Sequence, residues 1–173
     1  LGLTVSALLP GCALGAFAAG RLADPWGRRH VLMIAALPFL VSALASGAAG
    51  SALMLAAARF FAGAAVGAAS VLSPAYISEV TPAAIRGRLS SVQQVMIIGG
   101  LTGAFLANYY LAQAAGSSLG IFWFGYPAWR WMFWVQAVPA LLFLFTLLFI
   151  PESPRYLVAK GRDSAARAVL ARL

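Results

Sequence analysis

Gly20-Arg21-Leu22-Ala23-Asp24-Pro25-Trp26-Gly27-Arg28-Arg29-His30 is the stretch on which the reading of this chain turns. Arg21, Asp24, Arg28 and Arg29 crowd into one short run between two long apolar segments. Asp24 suits a helix N-cap, and Pro25 the first helical position, where a missing N–H costs nothing. Gly20 and Gly27 permit a tight turn and a close backbone approach. The run therefore predicts a short polar hinge between two helices buried in lipid.

The rest of the chain has the composition such a hinge needs. Of 173 residues, 62% are hydrophobic and only 9% charged, against about a quarter charged in soluble domains. Several apolar runs approach the ~20 residues that cross a bilayer as a helix. The fold class is an all-α membrane protein. The runs recur throughout, so none is a signal peptide. Leu1 is not a methionine and the last residues lie in a helical pattern, so the chain reads as a fragment.

The net charge of +8 does not point to nucleic acid. Its cations fall in three clusters between apolar runs, the pattern of loops kept on the cytoplasmic side. Cys12 and His30 are the only residues of their kinds, which leaves no disulfide, metal site or Ser/His/Asp set. Neither an enzyme nor a cofactor is expected.

Five spans follow from the apolar runs, at about 1–20, 31–50, 53–77, 90–112 and 131–150, all in one N-terminal membrane unit, 1–150. Residues 151–173 start a basic linker, with Asp163 placed to cap a helix from Ser164 onward. The natural break between the second and third spans is Ser46-Gly47-Ala48-Ala49-Gly50-Ser51. Pro38 and Pro74 lie inside spans, where membrane helices tolerate kinks. Phe122, Trp123, Phe124, Tyr126 and Trp129 form an aromatic belt at a water interface. Arg21, Arg28, Arg29, Arg86, Arg88, Arg155, Lys160, Arg162, Arg167 and Arg172, ten of the twelve cations, share one side. Residue 1 is then outside and residue 173 in the cytoplasm, with the chain multi-pass in the cell membrane.

Three sets of residues stand out. Arg59 lies within a span, where an arginine at the centre costs about 2.5–3.5 kcal/mol. Gly63 and Gly67 follow it at four-residue steps on one face. An interior functional role and a snorkelled structural one are both compatible with this placement. Gln94, Leu101 and Asn108, with Gln93 beside them, recur every seven residues and fall within about 40° of one another on a helix. Their amides can bridge helices or offer a donor and an acceptor to a polyhydroxylated ligand. Finally, Asp24 with Arg28, Glu79 with Arg86, and Glu152 with Arg155 can form cytoplasmic ion pairs. They are either ordinary topology-setting charges or a latch between helices that must separate.

Gly20 to Arg29 resembles the signature loop between the second and third helices of the major facilitator superfamily. Arg59-Phe60-Phe61-Ala62-Gly63 with Gly67, and Pro74-Ala75-Tyr76-Ile77-Ser78-Glu79-Val80-Thr81-Pro82, are similar to the fourth helix of its sugar porter family. Arg86-Gly87-Arg88 with Gln94 resembles the start of the fifth, and Trp129-Arg130-Trp131-Met132 with Pro151-Glu152-Ser153-Pro154-Arg155-Tyr156-Leu157 the edges of the sixth. Pro-Glu-Ser-Pro-Arg alone discriminates poorly, since the organic-ion branch has it too.

The resemblance implies helices two to six of twelve and a monosaccharide carrier, proton-coupled in some members, that works by alternating access with the C-terminal half of the same carrier. It implies that Gln94 hydrogen-bonds sugar hydroxyls and that Arg59 lies near the acid of helix one in proton-coupled members. It also implies that Asp24, Arg28, Arg29, Glu79, Arg86, Glu152 and Arg155 make a cytoplasmic gate. Leu101 departs from bacterial members with a second glutamine there, which weakens a xylose-like assignment. The competing readings are a carrier of organic ions or other non-sugar solutes, and a non-transporting sensor or scaffold half.

Overall fold

The computed structural model describes residue 2, residues 6–82 and residues 84–170. Its first long helix, α1 (Leu8–Trp26), does not stop at the charged run. It carries Arg21, Asp24 and Pro25 in its last turns, and Gly27 alone separates it from α2 (Arg28–Ala48). Asp24 is therefore not an N-cap, and Pro25 does not open a helix. The helix ends one residue after the proline, and the Gly27 N–H still closes on the Ala23 carbonyl at 3.0 Å. The turn itself falls on Gly27, at φ 90°, a backbone conformation that side chains with a Cβ rarely adopt.

The second break is also shorter than the sequence predicts. Ser46 and Gly47 are helical and buried, so the connection reduces to residues 49–51. The Ser51 hydroxyl accepts the Met54 N–H at 3.2 Å and caps α3 (Ala52–Val80). Thr81 and Pro82 end that helix, and α4 (Arg86–Ala114) follows. Pro38 and Pro74 sit inside α2 and α3 without interrupting them.

The last expected span is two helices, α5 (Ala128–Val135) and α6 (Ala137–Phe149), broken at Gln136. Pro139 supplies no N–H to the carbonyl four residues earlier. The chain tightens there, with Gln136 N–H donating to Phe133 O at 3.1 Å. Two short helices close the chain, α7 (Pro154–Ala159) and α8 (Asp163–Leu170). Asp163 is the first residue of α8 rather than its preceding cap, and its carboxylate still faces the positive end of the helix dipole. The expected continuation to residue 173 lies outside the described residues.

Among the described residues, four helical stretches are long and apolar enough to cross a membrane: Arg28–Ala48, Ala52–Val80, Arg86–Ala114 and Ala128–Phe149. The expected span 1–20 lies partly outside the described residues, and the helix holding the rest runs on into Arg21 and Asp24.

Small residues bring α1 and α3 into backbone contact. A Cβ at Gly11 would strike the Phe60 carbonyl, and one at Gly15 the backbone of Ala64. Reciprocally, Gly63 faces the Leu8 carbonyl and Gly67 the backbone of Cys12. Helices in lipid gain little from the hydrophobic effect against each other, so close backbone approach supplies the packing. α2 is held by α5 at its far end, where Gly47 makes room for the Trp134 indole, whose N–H donates to Leu44 O at 3.3 Å. Nearby, Arg130 donates to Ala49 O at 3.3 Å. α4 differs from the others in having no buried residue.

Candidate functional site

The ends of α1, α2 and α3 meet the segment between α6 and α7 in one cluster of charged groups. Arg28, the first residue of α2, reaches back to the Ala23 carbonyl at 3.0 Å and to Asp24 Oδ1 at 3.2 Å. Its other terminal nitrogen lies 3.2 Å from Glu79 Oε1, and the Glu79 side chain is only 7% exposed. One guanidinium thus ties α3 to the α1–α2 turn. An ion pair this sheltered is weakly screened by salt, and each partner is costly to leave alone.

Arg29 is used differently. Its Nε and Nη2 donate to the carbonyls of Leu147 and Leu148, at 3.1 and 2.8 Å. These belong to the last turn of α6, where helix carbonyls lack intrahelical partners and a cation is favoured. Glu152 completes the joint. Its Oε1 accepts the backbone N–H groups of Arg29 (3.1 Å) and Ser153 (3.0 Å), and its Oε2 lies 2.9 Å from His30 Nδ1. Gly27 makes this possible, since a Cβ there would sit 2.6 Å from Glu152 Oε2.

Ser153 joins the two carboxylates. It is fully buried and stands at the N-cap position before Pro154, yet its hydroxyl donates to Glu79 Oε2 instead of capping α7. Tyr76 OH donates to Pro151 O at 2.7 Å, and Tyr156 OH to Pro25 O at 3.1 Å. The cluster therefore links four chain segments through charge-assisted hydrogen bonds, the stronger kind.

Two of the three expected pairings change partners. Asp24 does pair with Arg28, but Glu79 takes Arg28 rather than Arg86, and Glu152 takes His30 rather than Arg155. Arg86 lies one turn past the Thr81–Pro82 break, and among the described residues its guanidinium donates to Thr81 O alone, at 3.4 Å. Among the described residues Arg155 has no carboxylate within 4 Å. His30, Ser153, Tyr76 and Tyr156 were missed as members of the cluster. The proline after Ser153 marks a helix start and so a polar cap position, but nothing in the sequence says that the hydroxyl turns to Glu79.

The polar residues of the spans lie elsewhere. On α4, Gln94 and Leu101 are exposed, and Gln93 and Asn108 half-buried. Among the described residues, none of the three amides has a hydrogen-bond partner. Gly63 and Gly67 meet α1, and the Arg59 guanidinium lies 4.3 Å from the centre of the Phe133 ring of α5. That contact partly offsets the cost of a cation in a span. No cluster of His, Cys, Asp and Glu able to hold a metal occurs among the described residues.

Comparison with known proteins settles the family. The family profile described as "Sugar (and other) transporter" matches residues 1–173. The chain belongs to this sugar transporter family. It is 49% identical over 170 residues to a glucose transport protein of Synechocystis, covering 98% of this chain and 36% of that protein. An arabinose-proton symporter of Bacillus subtilis is 38% identical over 172 residues, covering 99% of the chain and 36% of the symporter. Among solved structures, a partially occluded inward-open xylose transporter XylE from E. coli superimposes with a TM-score of 0.90 at 34% identity, covering 99% of this chain and 43% of that one. The fold is thus part of a major facilitator fold. This sugar transporter chain spans little more than a third of the length of these curated relatives.

Proposed function

We propose that the whole protein carries a monosaccharide across the cell membrane by alternating access, and that this chain supplies helices two to six of its N-terminal half. The observation that carries the reading is the face of α4. Gln94 and Asn108 bring unpaired amides to one side of an apolar helix that no described residue buries. A buried amide without a partner costs about 1–3 kcal/mol. In a complete carrier such groups need a partner, and sugar hydroxyls match their donors and acceptors. The sugar and sugar–proton carriers among the relatives support this choice.

The charged cluster is the cytoplasmic gate of that carrier. With the cluster intact, the ends of α1, α2 and α3 are bound to the α6–α7 segment and the site faces outward; parting them opens it to the cytoplasm. This orientation, with residue 173 cytoplasmic, agrees with the side on which ten of the twelve cations fall. Arg59 has no acidic partner among the described residues, and its coupling role requires an acid on a preceding helix.

Sugar uptake by the full-length protein in proteoliposomes tests both roles. Gln94→Ala should lower kcat/KM about tenfold, the loss of one hydrogen bond made to the sugar. Arg59→Gln should abolish accumulation driven by a proton gradient while sparing exchange. Unchanged uptake of every sugar by Gln94→Ala would remove the site assignment, and equal loss of both activities in Arg59→Gln would leave that arginine a packing role.

A further inference from the structure

Two titratable groups of the cytoplasmic cluster reach open water, Asp24, which is held by Arg28, and His30. The His30 side chain is 60% exposed, whereas that of its partner Glu152 is 10% exposed. Through Glu152 it connects to everything the cluster holds. The carboxylate that faces His30 also accepts the backbone N–H groups of Arg29 and Ser153, and the Ser153 hydroxyl bridges to Glu79 and so to Arg28.

The other charged groups near this pair are already committed. Arg29, next on the same helix, turns its guanidinium to the α6 carbonyls, and Arg28 turns to Asp24 and Glu79. From α7, the Tyr156 hydroxyl is spent on Pro25 O, and from α3 the Tyr76 hydroxyl is spent on Pro151 O. Arg155 makes no ion pair with Glu152. The cation that Glu152 lacks at its Oε2 oxygen is therefore supplied by His30 alone, and only when the ring is protonated.

We propose that His30 is a positioning residue of the transport cycle, acting through Glu152 so that cytoplasmic acid strengthens the closed cytoplasmic gate. The inference rests on the alternating-access reading above. Histidine is the side chain whose charge ordinarily changes between about pH 5 and 8. Neutral, the ring offers Glu152 one hydrogen bond; protonated, it adds a full charge at 2.9 Å. The added attraction exists only while the gate is closed, so it favours the outward-facing state. It is present at low cytoplasmic pH and lost as that pH rises. The carrier then presents its site to the cytoplasm less often in acid, and its apparent affinity for internal sugar falls in proportion to the inward-facing fraction. A half-exposed ion pair moves such an equilibrium by about threefold.

The test uses the full-length protein in proteoliposomes, with D-glucose, D-xylose and L-arabinose as probes. The external pH is held constant while the internal pH is set to 6 or 8, and the internal sugar concentration giving half-maximal efflux is measured. Lowering the internal pH should raise that concentration about threefold more in the unmodified carrier than in His30→Gln, which keeps a hydrogen-bonding group without the charge. His30→Arg, charged at both pH values, should hold it high throughout. An equal pH response in the unmodified protein and both variants would overturn the proposal while leaving sugar transport intact. Failure of the unmodified protein to move any of the probes, with an organic ion carried instead, would overturn the sugar reading; the same efflux protocol run with that ion would still decide the role of His30.

Discussion

Glu79 and Arg86 show most clearly what a side chain's surroundings add to its charge. Both belong to the same polar island and to the same expected pair, yet only Glu79 is enclosed, with Arg28 at 3.2 Å and the Ser153 hydroxyl on its other oxygen. Glu79→Gln leaves Arg28 with the exposed Asp24 carboxylate and the Ala23 carbonyl, on a guanidinium whose Nε already has no partner among the described residues. The expected cost to the cluster, the proposed gate, is about 1–3 kcal/mol, the penalty of a sheltered polar group deprived of its counterpart. Arg86→Gln removes one long hydrogen bond to a backbone carbonyl and should cost less than about 0.5 kcal/mol. Labelling of cytoplasm-facing cysteines introduced into the full-length carrier should therefore rise severalfold in the first variant and hardly in the second. Equal effects would mean that these charges serve topology alone. Asp24, Arg28, Arg29, Glu79 and Glu152 were legible in the sequence as charges between apolar runs, whereas Arg86 and Arg155 join no ion pair among the described residues and His30 was missed. The partners of Glu79 and Glu152 were not legible, because each pairing crosses from one helix end to another: Arg28 to Glu79 and His30 to Glu152 depend on how the helices are stacked.

Helices in this chain are set by where backbone hydrogen bonds are lost, and sequence signals mark those places unevenly. Apolar runs showed that α2, α3, α4 and the α5–α6 pair exist. The local punctuation of the opening stretch misled, because Asp24-Pro25 has the form of a helix start but lies where α1 is ending. Gly27 makes the turn, since it alone there accepts φ 90°. Pro139 interrupts the last span, whereas Pro38 and Pro74 interrupt nothing. The glycine steps carried the opposite lesson. Gly63 and Gly67 already stood out by their four-residue step, and on α3 they lie against the backbone of Leu8 and Cys12, while Gly11 and Gly15 of α1 lie against Phe60 and Ala64. Gly63→Val would place a branched side chain against the Leu8 carbonyl and the Cys12 N–H. Overpacking of this kind costs about 1–3 kcal/mol or more, and Tm in detergent should fall by about 5 °C. An unchanged Tm would show that the α1–α3 contact is looser than its geometry implies.

At the scale of the whole molecule, two features remain separate within this chain. One end is fastened by charge: four segments meet at Arg28, Arg29, Glu79, Glu152 and Ser153. Along its length, α4 has no buried residue, and the amides of Gln94 and Asn108 have no hydrogen-bond partner among the described residues. A charged cluster at one end and a polar face along one helix fit the proposed reading of this chain as part of one half of a carrier. The chain covers 36% of the Synechocystis glucose transport protein, so the proposed substrate is tested on the full-length protein. The most direct measurement is uptake of a panel of monosaccharides and organic ions by the full-length protein in proteoliposomes, with and without a proton gradient. Saturable uptake of at least one monosaccharide, competed by other sugars and not by organic ions, is the predicted result. Transport of an organic ion with no monosaccharide uptake under either condition would contradict the account.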